Sequence, residues 1–201
     1  MKKFFVFAAM AVASVAILSC NRDPGDEKVE FVYETTDAVT VCINEVCGVV
    51  GSKGVELYNP TDQEIALEGY TLVKNEAKDA NDATKDAATW TGTSTDKIAA
   101  KGYYVITAKK EFDDIKDVAN AKANDSFSPS KALKLELKKD GTVVDTFDRG
   151  FDLAEKTEAA LKTLEGSCAR VEDGKKTWKV MAITMGKTNK GADVLGNIDV
   201  K

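Results

Sequence analysis

One stretch limits the fold of this chain more than any other. Residues 132–147, ALKLELKKDGTVVDTF, alternate apolar and polar side chains on both sides of Asp140-Gly141. Successive side chains of a strand point to opposite faces. Leu133, Leu135 and Leu137 therefore fall on one face, and Lys134, Glu136 and Lys138 on the other. Asp-Gly suits a tight hairpin turn, which needs positive φ that glycine accepts without steric cost. The pattern predicts a half-buried antiparallel sheet, dry on one face and wet on the other.

Further short β-type runs surround this hairpin. AVTVCINEV (38–46) is rich in Val and Ile, and CGVVGSKG then turns the chain. VELY (55–58) alternates, NPTDQ (59–63) supplies turn residues, and EIALEGYTLV (64–73) follows. Asn59-Pro60 starts a turn because the residue before proline is pushed into an extended shape. Gly69 lets the backbone bend or bulge between Leu67 and Leu72. KIAAKGYYVITA (97–108) turns at Lys101-Gly102, and CARVE (168–172) and TWKVMAI (177–183) flank the turn DGKK.

Three segments read differently. KNEAKDANDATKDAAT (74–89) is polar and reads as a long loop. KKEFDDIKDVANAKA (109–123), with Phe112, Ile115 and Val118 three apart, and FDLAEKTEAALKTLE (151–165) read as short helices. Frequent short strands with one or two helical insertions make the expected fold class all-β, a β-sandwich.

The chain opens MKKFFVFAAMAVASVAILS, with Lys2 and Lys3 ahead of an apolar run from Phe4 to Leu18. Fifteen such residues fall short of the roughly 20 that a membrane-spanning helix needs, so residues 1–19 read as an export signal. ILSC, followed at once by polar NRDPGDEK, resembles the bacterial lipobox, whose cysteine is diacylated before cleavage in front of it. Ile17 stands where that pattern prefers Leu. The reading makes Cys20 the lipidation site and residues 20–37 a charged tether, its acids Asp23, Asp26, Glu27, Glu30 and Glu34 suiting a flexible spacer. Residues 38–201 then form one domain. Two or three acyl chains, at roughly 0.8 kcal/mol per buried methylene, anchor a protein stably. The expected location is the cell envelope, on the outer membrane at its periplasmic or cell-surface face.

Cleavage before Cys20 would remove two lysines and no acid, taking the net charge from −5 to −7. An acidic surface without a basic run argues against nucleic-acid binding, whose affinity grows with Lys and Arg contacts to phosphate.

Catalytic patterns fail one by one. The chain has no histidine, which removes His-based triads and His-containing metal sites. No Gly-x-Ser-x-Gly nucleophile elbow occurs. GVVGSKG (48–54) lacks the residue order of a phosphate-binding loop and reads as a hairpin connection. DANDATKDAATW (79–90) places Thr84 and Trp90 where an EF-hand needs glycine and glutamate. Acid pairs for glycoside hydrolysis are available in any acid-rich chain, and nothing singles one out. The expectations are no enzyme activity, no cofactor and no metal. Trp90, Trp178, Tyr58, Tyr70, Tyr103 and Tyr104 either line a sugar platform or, more commonly in a sandwich, pack in the core and across strands.

Beyond Cys20 the chain holds Cys42, Cys47 and Cys168, an odd number for an oxidising compartment. On one extended strand Cys42 and Cys47 would stand about 16 Å apart, against about 7 Å for a disulfide. Two readings remain: a bridge from one of them to Cys168, with Cys47–Cys168 the selected pair, or three small buried apolar residues.

Taken together, INEVCGVVGSKGVELYNPTDQEIALEGYTL closely resembles the opening of a lamin tail domain of the bacterial exported kind. The matching elements are Ile43-Asn44-Glu45-Val46, Val55-Glu56-Leu57-Tyr58-Asn59 and Leu67-Glu68-Gly69-Tyr70-Thr71-Leu72. IAAKGYYVI, DGTVVDTF and GSCARVEDGKKTW are similar to later parts of the family. TMGKTN (184–189) stands where the family often has Thr-Pro-Gly-x-x-Asn, with Met185 for proline. The resemblance spans about residues 39–190. It implies an immunoglobulin-like sandwich, no conserved catalytic chemistry, and a binding or scaffolding role. Asn44, Glu45, Glu56, Asn59, Gly69 and Arg170 become the family-motif positions to locate, with Glu45, Glu56 and Arg170 expected to form a partly buried charge network. The functional expectation is a lipid-anchored, non-catalytic binding or structural module, or alternatively a glycan-binding accessory lipoprotein. The membrane, through the lipid, and a protein or glycan are its expected partners.

Overall fold

The Asp140-Gly141 hairpin forms as the alternation requires, with φ of 50° and 82° at its two central residues. It belongs to a computed structural model that describes residues 37–77, 87–127, 132–149, 165–198 and 200. In chain order the strands are β1 (Cys42–Cys47), β2 (Gly54–Tyr58), β3 (Ile65–Ala66), β4 (Tyr70–Ala77), β5 (Ala87–Thr91), β6 (Lys97–Ile98) and β7 (Tyr103–Thr107). They continue with β8 (Ala119–Lys122), β9 (Ala132–Lys139), β10 (Thr142–Asp148), β11 (Ser167–Arg170), β12 (Trp178–Met181) and β13 (Val194–Asn197).

These strands build a seven-stranded sheet, β13-β12-β11-β1-β2-β7-β8, and a four-stranded sheet, β10-β9-β4-β5, with a small β3-β6 pair. Every pairing is antiparallel except β7 with β8. The inward faces of the two larger sheets share one core. Val41, Ile43, Val46, Val55, Leu57 and Ile106 come from the large-sheet side, and Leu72, Leu133, Leu135, Leu137 and Phe147 from the other. The expected all-β, immunoglobulin-like sandwich is the fold observed. Each fully buried Leu or Ile contributes about 1.5–3 kcal/mol relative to exposure.

Several local expectations need correction. The segment read as a loop at 74–89 instead ends β4 and starts β5, on either side of residues outside the described set. Its strands escaped notice because the buried positions are not apolar. Thr89 is buried by donating to the Leu72 carbonyl at 3.0 Å, and buried Lys74 reaches the Ser126 carbonyl and Asp125. In 109–123 the helix is a six-residue 3₁₀ turn, Asp113–Val118, and β8 follows it directly. A spacing of three is the period of a 3₁₀ helix, where side chains i and i+3 eclipse, and here it seats Ile115 and Phe112. β13 was not anticipated, because VLGN offers no alternating signal. The second expected helix, 151–165, lies almost wholly outside the described residues, as do Cys20 and the segments around it.

Candidate functional site

Three of the motif residues, Asn44, Glu45 and Glu56, meet on the outer face of the large sheet, and a bulge puts them there. Ile43 pairs with Leu57, but Glu45 pairs with Glu56, so Asn44 is the extra residue on β1. The shift keeps Ile43 and Val46 in the inter-sheet core and brings Glu45 directly opposite Glu56 on the other face. Both carboxyls are 0% exposed. The segment between β12 and β13 lies across them.

Every oxygen of this pair is engaged. Glu45 Oε1 accepts from the Ser167 hydroxyl at 2.6 Å and from the Thr184 N–H at 3.0 Å. Its Oε2 lies 2.7 Å from Thr184 Oγ1. Glu56 Oε1 accepts from Asn44 Nδ2 at 2.9 Å, and Oε2 from the Gly186 N–H at 2.6 Å. Gly186 has φ of 81°, and a Cβ there would meet Val118. Met185, in the place of the family's proline, packs with Cys47, Val105 and Ile115 in a second, smaller cluster on this face.

Asp173, on the turn after β11, completes the network. It accepts from Asn44 Nδ2 and the Asn189 N–H through Oδ1, and from the Tyr103 and Thr188 hydroxyls through Oδ2. Burial alone would raise its carboxyl; the donors from Thr188, Asn44, Asn189 and Tyr103 outweigh that and hold it below the usual range. Burial raises Glu45. It also lifts Glu56 to about 8, with the neighbouring charge of Glu45 as the second cause. Among the described residues, no cluster of three or more His, Cys, Asp or Glu is arranged to hold a metal ion.

Arg170 does not join this network through its side chain. It faces the gap between the sheets, where Nη2 binds Asp145 at 3.0 and 3.2 Å. Nε donates to the Ile43 carbonyl and Nη1 to that of Lys175. The guanidinium lies over Trp178, 4.8 Å from the ring centroid. The expected Glu45–Glu56–Arg170 grouping is thus two separate systems on opposite faces of one sheet. Strand alternation explains the split: Arg170 pairs with inward-facing Trp178 in β12, while Glu45 pairs with Ala169. Asp145 was the partner that the sequence reading missed, because the pairing crosses between sheets and leaves no spacing signal. Beside the ion pair lies a recess of about 320 Å³ bordered by Val39, Val144, Lys176 and Val200.

Asn59 and Gly69 hold turns. Asn59 Nδ2 donates to the carbonyls of Gln63, Ile98 and Ala99, and Oδ1 accepts from Thr61. One side chain thereby ties the 59–63 turn to β6. Gly69 has φ of 81°, and a Cβ there would fall 2.2 Å from Asp140 Oδ1.

The Cys47–Cys168 bridge does not form; Cys42, Cys47 and Cys168 are free and buried. Cys168 pairs with Val46 and belongs to the inter-sheet core, whereas Cys47, one residue on, belongs to the outer cluster. The sheet itself separates the two sulfurs. Burial pushes the Cys42 and Cys47 thiols up to about 12 and Cys168 to about 11, so none is a ready nucleophile.

Of the six aromatics considered for a sugar platform, Trp90, Trp178, Tyr70 and Tyr104 are buried. Tyr58 and Tyr103 are half-buried neighbours, with ring centroids 5.3 Å apart and planes tilted by 33°. Among the described residues, no helix is long and apolar enough to cross a membrane.

Comparison with known proteins agrees with the fold. No curated protein matches the chain. The profile of the family described as Lamin Tail Domain matches residues 34–150, and β11–β13, which carry Ser167 and Arg170, lie beyond that match. Lamin tail domains are immunoglobulin-like and non-enzymatic, suited to structural or binding roles. With more than half of its length matched, this chain belongs to the lamin tail domain family.

Proposed function

We propose that the chain is a lipid-anchored, non-catalytic binding or structural module of the bacterial cell envelope. The observation that carries this reading is how the motif residues are used. Asn44, Glu45, Glu56, Asn59 and Arg170 all spend their polar atoms on the protein's own backbone and side chains. A catalytic acid or nucleophile needs a reacting atom within reach of an open site, and these groups are buried with their polar atoms already paired. Anchoring rests on the lipobox-like ILSC and Cys20, seventeen residues before the first described residue, Asp37. A tether of that length leaves the sandwich free to meet a protein or glycan near the membrane.

Metabolic labelling with an alkynyl fatty acid, followed by membrane fractionation, tests the anchor. The wild type should take the label and sediment with membranes, and Cys20→Ala should do neither. An unlabelled, soluble wild type would end the proposal. Crosslinked capture from intact cells, comparing the same two proteins, then seeks the partner. A discrete partner lost with the anchor supports an envelope scaffold. Bulk lipoproteins alone would turn attention to soluble glycans, for which Tyr58 and Tyr103 are the stacking pair to remove.

A further inference from the structure

In the buried carboxyl network one hydroxyl, that of Thr184, stands within hydrogen-bond distance of two side-chain oxygens. Asn189 Nδ2 donates to two backbone carbonyls, of Arg170 at 2.9 Å and Asn44 at 3.3 Å. Carbonyls only accept, so the amide orientation is fixed and Asn189 Oδ1 must be the atom facing Thr184. Thr184 Oγ1 lies 2.5 Å from that Oδ1 and 2.7 Å from Glu45 Oε2. A hydroxyl has one hydrogen. With Glu45 ionised, both neighbours would be pure acceptors competing for it, and one close oxygen pair would have no proton between them. The remaining oxygen of Glu45 offers no relief, because Oε1 already accepts from Ser167 and the Thr184 N–H.

We propose that Glu45 is a neutral carboxylic acid that donates from Oε2 to Thr184, which donates in turn to Asn189, so that a single proton latches the 184–189 segment onto the large sheet. Glu56 is the ionised member of the pair: the rise to about 8 includes the repulsion of a charged Glu45, which a neutral Glu45 does not exert, and the donors around Glu56 favour its anion. Both its oxygens face N–H donors that cannot accept a proton, Asn44 Nδ2 and the Gly186 amide. The two carboxyls thus carry one charge between them, as close buried pairs do. Burial, which disfavours the charged form of Glu45, acts in the same direction.

Among the described residues no cation bonds to either carboxyl: Lys179, on the same face of β12, reaches Asn197 at 3.2 Å, and Arg149 acts on Cys168. Asp173 contributes a further negative charge from the β11–β12 turn. Cys47 on β1 and Cys168 on β11 sit near Glu45 as high-pKa, neutral thiols. Cys42 on β1 and Tyr103 on β7 face Glu56, likewise neutral. Lys53, in the β1–β2 turn, acts on Cys47. Lys187 on the latched segment and Lys190 just after it are exposed, as are Asp113, Asp114, Lys116 and Asp117 of the 3₁₀ turn.

The sign of the pH dependence follows. A carboxyl raised by folding stabilises fully below its unfolded pKa, near 4.5 for Glu45, and that contribution drains away as pH climbs to the folded value. Within that window the folded state holds one more proton than the unfolded state, so the unfolding equilibrium constant should rise by up to about tenfold per pH unit.

Urea unfolding of the full domain from pH 5 to 9, for wild type and Glu45→Gln, tests the latch. The Gln amide nitrogen can donate to Thr184 as the acid does, but it cannot titrate. The expected result is a wild-type midpoint that falls toward alkaline pH and a flatter profile in the variant. Parallel profiles would mean that Glu45 does not hold the proton. If the variant fails to fold, carboxyl-¹³C glutamate NMR of the wild type decides the question. A Glu45 carboxyl resonance at the protonated position at pH 7 supports the latch, and one at the ionised position overturns it.

Discussion

Where β1 meets β2, the two faces of the seven-stranded sheet are buried to the same degree by opposite chemistries. Inward, Ile43, Val46, Leu57 and Ile106 meet the leucines of β9 through apolar side chains, with the Arg170–Asp145 ion pair beside them. Outward, Glu45 and Glu56 are equally inaccessible, yet every carboxyl oxygen has a partner on a loop or a neighbouring strand. The inner face gains from removing apolar area from water, which is non-directional and tolerates small shifts. The outer face depends on directed bonds that lose their value when misaligned. The first arrangement gives cohesion, and the second fixes one position of the 184–189 segment.

Breaking the ion pair should have the largest effect. Asp145→Ala leaves the buried Arg170 guanidinium without its carboxylate and the Ile43 N–H without its acceptor at 2.7 Å. Urea unfolding should register a loss of about 3–5 kcal/mol. Replacing both partners with apolar residues of similar volume should recover much of that loss, because the stranded charge leaves with its partner. A double variant as unstable as Asp145→Ala would mean that the pair adds net stability. Leu135→Ala comes next, at about 2–5 kcal/mol, since the cavity opens at a site packed from both sheets. A cost under 1 kcal/mol would show that the two sheets close over the gap.

The outer face allows a sharper contrast. Glu56→Gln cannot keep both bonds, since its amide nitrogen must face either Asn44 Nδ2 or the Gly186 N–H, and each is a donor. A cost of about 1–3 kcal/mol is expected near neutral pH, with faster amide hydrogen exchange at Gly186. Glu45→Gln keeps a donor where Thr184 needs one. Identical responses of the two variants would erase the distinction between the protonated and the ionised member of the pair.

The same contrast sets what the sequence could reveal. The β9–β10 hairpin was legible because a half-buried strand writes its faces as alternation, and Asp140-Gly141 marks the turn. Asn59 and Gly69 were legible as turn residues because proline and positive φ constrain the backbone locally. The bulge at Asn44 was not, since an extra residue in a paired strand has no composition of its own. That one residue sets which face Glu45 takes. Pairings such as Arg170 with Asp145 join positions distant in the chain and depend on sheet order, which local patterns do not encode. β5 was hidden for a different reason: its buried Thr89 satisfies its polar atom after folding, and polarity in a sequence does not announce where the partner will be.

The smallest expected effect is none at all, and it concerns the cysteines. A disulfide lowers the entropy of the unfolded chain and typically adds about 2–4 kcal/mol, so reductant would shift the urea midpoint of a bridged domain visibly. Here Cys47 belongs to the outer cluster and Cys168 to the inner core of one sheet. Bridging them would require a sulfur to pass through a hydrogen-bonded ladder between β1 and β11. The midpoint should therefore be the same with and without reductant. The native domain should resist alkylation at neutral pH, since burial both blocks access and keeps the thiols protonated. After unfolding without reductant, peptide mapping should find Cys42, Cys47 and Cys168 alkylated. Recovery of a Cys47–Cys168 peptide would contradict more than the thiol assignment. It would move Cys47 to the inner face, cancel the parity shift at Asn44, and turn Glu45 toward the core.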